Sequence, residues 1–161
     1  HSIARRQRQM CIRDSMRDYL ESKLLLFNDL LEKGKTVITD SDIKQFKNIK
    51  KIQEKRKLTL LTIWSKGNTF KILSHKIFEN YQFLETKYKN KTYKLKINLY
   101  GTIQIKNLLM AILAAKVCGL KIEKIFNKID KIRSVEGRLH LIKTIPNNSK
   151  VFLDYAHMSI I

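Results

Sequence analysis

Apolar residues recur at helical spacing early in the chain. Met16, Leu20, Leu24, Phe27 and Leu31 share one side of a helix predicted over residues 17–32, and Gly34 is its natural stop. The β-branched run Lys35–Thr39 then predicts a short strand. Asp40-Ser41-Asp42 predicts a turn whose side-chain oxygens cap a polar helix over about residues 43–55. Leu58–Trp64 is an apolar run of strand length, and Gly67-Asn68 turns the chain after it. Residues 69–99 read as antiparallel strands. Tyr81–Lys87 and Thr92–Leu99 flank a turn at Lys89-Asn90-Lys91, and Tyr93, Leu95, Ile97 and Leu99 alternate with polar residues, so one face of that strand is buried.

The period changes again after Gly101. Ile105, Leu108, Leu109 and Ile112 mark the inner face of an amphipathic helix over residues 103–117, ended by Gly119. A second helix is predicted over residues 122–132 on Ile122, Ile125, Phe126 and Ile129. Glu136-Gly137-Arg138 connects it to two strands, Leu139–Ile145 and Val151–Tyr155, separated by the turn Pro146-Asn147-Asn148.

Composition narrows the classes. The chain has 161 residues, enough for a real core, and 43% of them are hydrophobic. No apolar run approaches the roughly 18–20 residues of a membrane helix, and no secretory signal stands at the start. Two cysteines, Cys11 and Cys118, make neither a disulfide framework nor a metal finger, which fits a reduced, cytoplasmic setting. The net charge of +19 raises nucleic acid as a partner. The lysines are scattered, however, and no basic patch with interleaved aromatics is evident, so a basic nucleic-acid-binding module stands only as the rival of another class.

The basic residues also change type. Residues 1–15 hold Arg5, Arg6, Arg8 and Arg13 and no lysine, whereas the rest holds four arginines among many lysines. The string Ala4–Ser15 resembles translated sequencing-adapter read-through, so residues 1–15 are expected to be a non-native leader.

Four short motifs carry candidate chemistry. Met16-Arg17-Asp18-Tyr19-Leu20-Glu21-Ser22-Lys23-Leu24-Leu25-Leu26-Phe27 places Lys23 at the border of the apolar stripe. Gly101-Thr102-Ile103-Gln104-Ile105-Lys106-Asn107 opens the amphipathic helix, with two amides that both donate and accept. Val135-Glu136-Gly137-Arg138-Leu139-His140 sets a guanidinium in a turn, and Val151-Phe152-Leu153-Asp154-Tyr155-Ala156-His157 ends a strand on Asp154 and His157.

In order, spacing and context these motifs resemble the Mur ligase family, and within it the muramyl-tripeptide synthetases. The resemblance spans most of residues 16–158. It implies an α/β fold: the second half of a central ATP-binding domain over residues 16–136, a mixed sheet with flanking helices, followed over 137–161 by the first strands of a C-terminal Rossmann-like domain.

The resemblance also implies roles. Lys23 would be the lysine that becomes carbamylated, turning a cation that repels Mg²⁺ into an anionic oxygen ligand suited to it; burial beside the apolar stripe would free its amine. Asn107, with Gln104 in a position where many relatives have Asn, would face the ATP adenine. Arg138 would contact the ATP phosphates. Asp154 and His157 would lie at the ribose and phosphates. His140 departs from the family's Glu, and Met158-Ser159 from its Thr-Pro.

The implied activity is ATP-dependent addition of the third amino acid, diaminopimelate or lysine, to UDP-N-acetylmuramoyl-L-alanyl-D-glutamate through an acyl phosphate, by a protein expected to be monomeric at full length. A folyl-polyglutamate synthetase shares this fold and chemistry and stays open as an alternative. The family's Gly-x-x-Gly-Lys-(Thr/Ser) phosphate loop is not in the sequence. The chain is therefore expected to be an inactive fragment, and poorly soluble because one side of its sheet would lie exposed where further strands belong.

Overall fold

The computed structural model describes residues 16–155. They divide into two compact units. The first holds the residues up to Val37 together with Lys44–Leu60; the second holds Ile38–Ile43 and the residues from Leu61 onward.

In the first unit, α1 (Met16–Leu25) widens into a π-helical turn, Leu26–Leu30, closed by the Leu31 N–H donating to Leu26 O at 2.9 Å. The predicted helix is therefore present but is not α-helical to its end. Arg56 explains the stop: its Nη2 donates to Leu31 O at 2.6 Å and satisfies a terminal carbonyl that a further helical turn would have used. Arg56 lies in the last turn of α2 (Phe46–Arg56), which ends on left-handed Lys57. Gln53 and Leu58 close that end reciprocally, Leu58 N–H to Gln53 O and Gln53 Nε2 to Leu58 O.

The expected cap of α2 is not made. The helix begins three residues later than predicted, after Gln45, with no side-chain cap, because Asp40 and Asp42 are engaged elsewhere. Among the described residues of this unit, the buried apolar side chains are Val37, Ile49 and Leu58.

A mixed five-stranded sheet runs in the order β1 (Thr36–Asp40), β2 (Thr59–Trp64), β3 (Phe70–Ile77), β4 (Gln82–Tyr88), β5 (Lys91–Ile97). β3, β4 and β5 are antiparallel, as the alternation predicts. β2 and β3 instead meet in parallel, over only two residue pairs, Ile63↔Phe70 and Trp64↔Lys71. Ser65–Thr69 is too short for the crossover of a dozen or more residues that an extended parallel ladder needs.

The second unit's core lies between this sheet and α3 (Thr102–Val117). Ile63, Phe70, Leu84 and Ile97 from the strands meet Ile105, Leu109, Ile112 and Leu113 from the helix. The predicted helix over 122–132 is broken into α4 (Ile122–Phe126) and a 3₁₀ turn (Ile129–Lys131), yet Ile122, Phe126 and Ile129 are buried as expected. β6 (His140–Thr144) and β7 (Lys150–Leu153) form a separate antiparallel hairpin. Among the described residues no helix is long and apolar enough to cross a membrane.

Candidate functional site

Three of the four motifs converge in the second unit. Gly101 begins α3 at φ +79, ψ 141, a conformation open essentially only to glycine, and a Cβ there would lie 2.7 Å from Leu139 Cδ1. Three residues on, Gln104 turns away from its own helix end and donates from Nε2 to Arg138 O at 3.3 Å. Its amide is therefore not the capping group that a first-turn amide often is.

The next contact joins the third motif to the fourth. Tyr155 N–H donates to Gly137 O at 2.8 Å, and a Cβ on Gly137 would fall 2.2 Å from the Tyr155 ring. Tyr100 and Phe152 pack edge to face at 4.9 Å and anchor β7 beside the entry to α3. Arg138, Asn107 and Asp154 all have exposed side chains around this junction. His157 lies outside the described residues.

Lys23 belongs to the first unit. It is exposed rather than buried beside the stripe, with Nζ 4.4 Å above the Tyr19 ring. The stripe itself is only half-buried at Leu20, Leu24, Phe27 and Leu31, so the burial expected to free this amine is not found.

The start of α3 rests on polar contacts that the sequence did not single out. Lys106 Nζ sits 2.6 Å from Asp40 Oδ2 and 4.7 Å above the Trp64 ring. Trp64 itself has φ +85, an outlier for so bulky a residue, and packs edge to face on His75 at 5.7 Å. His75 Nε2 is 2.7 Å from Gln82 Oε1, while Gln82 Nε2 donates to Leu99 O at 2.7 Å and Gly101 O at 3.3 Å. Gln82 is 1% exposed. With its NH₂ spent on two carbonyls, its oxygen must face the histidine, so His75 Nε2 is the donor in that contact. Asp40, Lys106, Trp64, His75 and Gln82 thus support Gly101 and the first turns of α3 from two sides. A lysine between Ile105 and the buried Leu108–Leu109 pair was the available signal.

Asp42 stands at the carboxyl end of the same strand region. Burial opposes its ionisation, but hydrogen bonds from the Ser65 and Ser41 hydroxyls and the Lys66 N–H, with the charge of Lys106, outweigh it and hold its carboxyl below the ordinary aspartate value. A depressed carboxyl stabilises the fold fully above the unfolded value, near 4, and that contribution is lost as pH falls through the lower folded value. Thermal melts of the chain between pH 6 and strongly acidic pH are expected to show an acid-side loss of stability that is smaller in Asp42→Asn. Identical pH profiles would refute the coupling.

The sequence of residues 12–115 matches the Mur ligase middle domain. The chain belongs to the Mur ligase family. UDP-N-acetylmuramoyl-L-alanyl-D-glutamate–2,6-diaminopimelate ligase of Rickettsia bellii is 32% identical over 142 residues, which are 87% of this chain and 28% of that protein. A solved diaminopimelate ligase of the same name superposes with a TM-score of 0.69 at 18% identity, covering 81% of this chain and 27% of that one. MurF ligase of Thermotoga maritima in complex with ADP gives 0.65 at 13% identity, covering 81% and 29%. The chain therefore spans little more than a quarter of the length of these relatives, and the structural likenesses establish the Mur ligase fold, a mixed sheet with flanking helices.

Proposed function

We propose that this chain is part of an ATP-dependent ligase that adds the third amino acid, diaminopimelate or lysine, to UDP-N-acetylmuramoyl-L-alanyl-D-glutamate. Residues 16–136 would supply the second half of its ATP-binding domain, and 137–161 the beginning of the next domain. The observation that carries this reading is the junction at the start of α3, where Gln104 reaches the Arg138 backbone and Tyr155 reaches Gly137. It brings together the chain segments that carry Gln104, Asn107, Arg138 and Asp154, which are far apart in sequence.

Those groups suit a nucleotide. Asn107, with Gln104, offers donors and acceptors to a base edge. Arg138 offers a fixed fork to phosphate, Asp154 follows the end of β7 beside the Gly137-Arg138 turn, and His157 would join them. The name of the Rickettsia relative supplies the acceptor and the incoming amine, and the ADP complex of the Thermotoga relative supports the nucleotide. Lys23 would serve as a carbamate; its exposed Nζ is accessible to carbon dioxide, the neutral amine losing a proton as the N–C bond forms, and the product would give Mg²⁺ one anionic oxygen ligand. Among the described residues no cluster of three acidic, histidine or cysteine side chains completes a metal site, so the remaining ligands would come from elsewhere in the whole enzyme.

In the reaction the D-glutamyl carboxylate takes the γ-phosphoryl group and ADP leaves. The amine attacks the acyl carbon, phosphate departs with the C–O bonding pair, and the amide remains after loss of a proton. Arg138 would balance charge on the phosphoryl group in transit. A cytoplasmic location accords with such soluble substrates.

The test is phosphate release by the whole enzyme. Release should require ATP, the UDP-muramoyl dipeptide and diaminopimelate or lysine together, and Arg138→Ala should cut kcat about 10²-fold or more. Release driven instead by a folate and glutamate would transfer the chain to the folyl-polyglutamate synthetases.

A further inference from the structure

We propose that a recess at the far end of α3 is a second binding site, for a small oligophosphate anion. It lies between the β4–β5 turn and the segment joining α3 to α4, and has a volume of about 450 Å³, within the range of about 300–1,000 Å³ usual for small-molecule sites. Lys89 and Lys91 reach it from the turn, Lys116 and Lys121 from the helical side, against the single carboxylate of Glu123. The described ion pairs engage other lysines, Lys35, Lys50 and Lys106. Four cations from two separate elements thus meet around one cavity.

The floor is rigid. Tyr88 packs on Phe70 at 5.1 Å between ring centres, and Tyr93 on Phe126 at 4.7 Å. Tyr88 is 8% exposed and its ring is committed to the core, which leaves little free aromatic face for stacking a base. The rim therefore favours a compact multivalent anion over a splayed single strand. Lysine ammonium groups bind phosphate as point charges without a fixed fork, so several of them around one cavity suit an anion that carries several charges in a short span.

The recess is distinct from the proposed nucleotide junction. α3 has 16 residues, about 24 Å at 1.5 Å per residue, with Gln104 at one end and Lys116 at the other. The inference is independent of the ligase reading, because it concerns only charges and a cavity in this chain.

Calorimetric titration of the 161-residue chain with inorganic tripolyphosphate tests it. One saturable site is expected. The exposed-residue variant Lys91→Glu/Lys121→Glu should weaken binding at least tenfold, while Lys47→Glu/Lys51→Glu on α2, which changes the net charge equally, should weaken it less than twofold. Far-ultraviolet circular dichroism of both variants should match the parent. No saturable binding, equal weakening in the two variants, or saturation only by a 20-nucleotide single strand would each overturn the proposal.

Discussion

Lys106→Met is expected to destabilise the second unit by about 3–5 kcal/mol, a fall in Tm on the order of 10 °C for a chain of this size. The methionine keeps most of the stem that lies over Trp64 and removes the ammonium. What remains is the Asp40 carboxylate, whose side chain is 7% exposed and which loses its 2.6 Å partner. Its Oδ1 keeps the Asp42 N–H at 2.9 Å, but Oδ2 is left nearly buried without its cation, and that penalty exceeds the worth of the pair itself. The double variant Asp40→Asn/Lys106→Met removes both charges and should recover most of the loss. Thermal melts of the two single variants and the double variant complete the cycle. A Lys106→Met loss under about 1 kcal/mol, the level of an exposed pair, would show that Asp40 is solvated and that the start of α3 does not depend on it.

Gly67→Ala is expected to cost about 3 kcal/mol, at the upper end for adding one methyl group to a packed site. A Cβ there would lie 2.4 Å from Phe70 O, 2.7 Å from Ile63 C and 2.9 Å from Ile63 Cα. All three are backbone atoms of fully buried residues at the point where β2 and β3 meet, so no side chain can swing aside. Gly34→Ala is the control. It has nothing within 4 Å and only its φ of +77 to strain, which should cost roughly 1–2 kcal/mol. Denaturant unfolding of both variants decides the matter; equal losses would mean that the β2–β3 turn relaxes freely.

The candidate site was legible in part. The glycine-led start of α3, the Gly137-Arg138 turn and the Asp154 strand end were each visible as motifs, and α3, β4 and β5 followed from hydrophobic period alone. Asp40-Ser41-Asp42 was misread for a physical reason. Acidic and hydroxyl residues before a polar helix have the local signature of a cap, but Lys106 and Ser65, more than twenty residues away in sequence, compete for the same oxygens and hold them. The π-helical end of α1 was hidden likewise, because the guanidinium that terminates it comes from α2. Lys23 read as bordering an apolar stripe, but that stripe is itself only half covered.

The sequence by itself determined the order and type of the elements, which faces are apolar, and the family-like motifs, since periodicity, glycine and turn residues act within a few positions of one another. Only the tertiary structure decided that Gln104 meets Arg138 and Tyr155 meets Gly137, that Gln82 and His75 underpin Gly101, and that four lysines surround one recess. Those outcomes depend on which distant donor reaches an acceptor first and on which surface is left uncovered once the core has closed, and neither is encoded in local spacing.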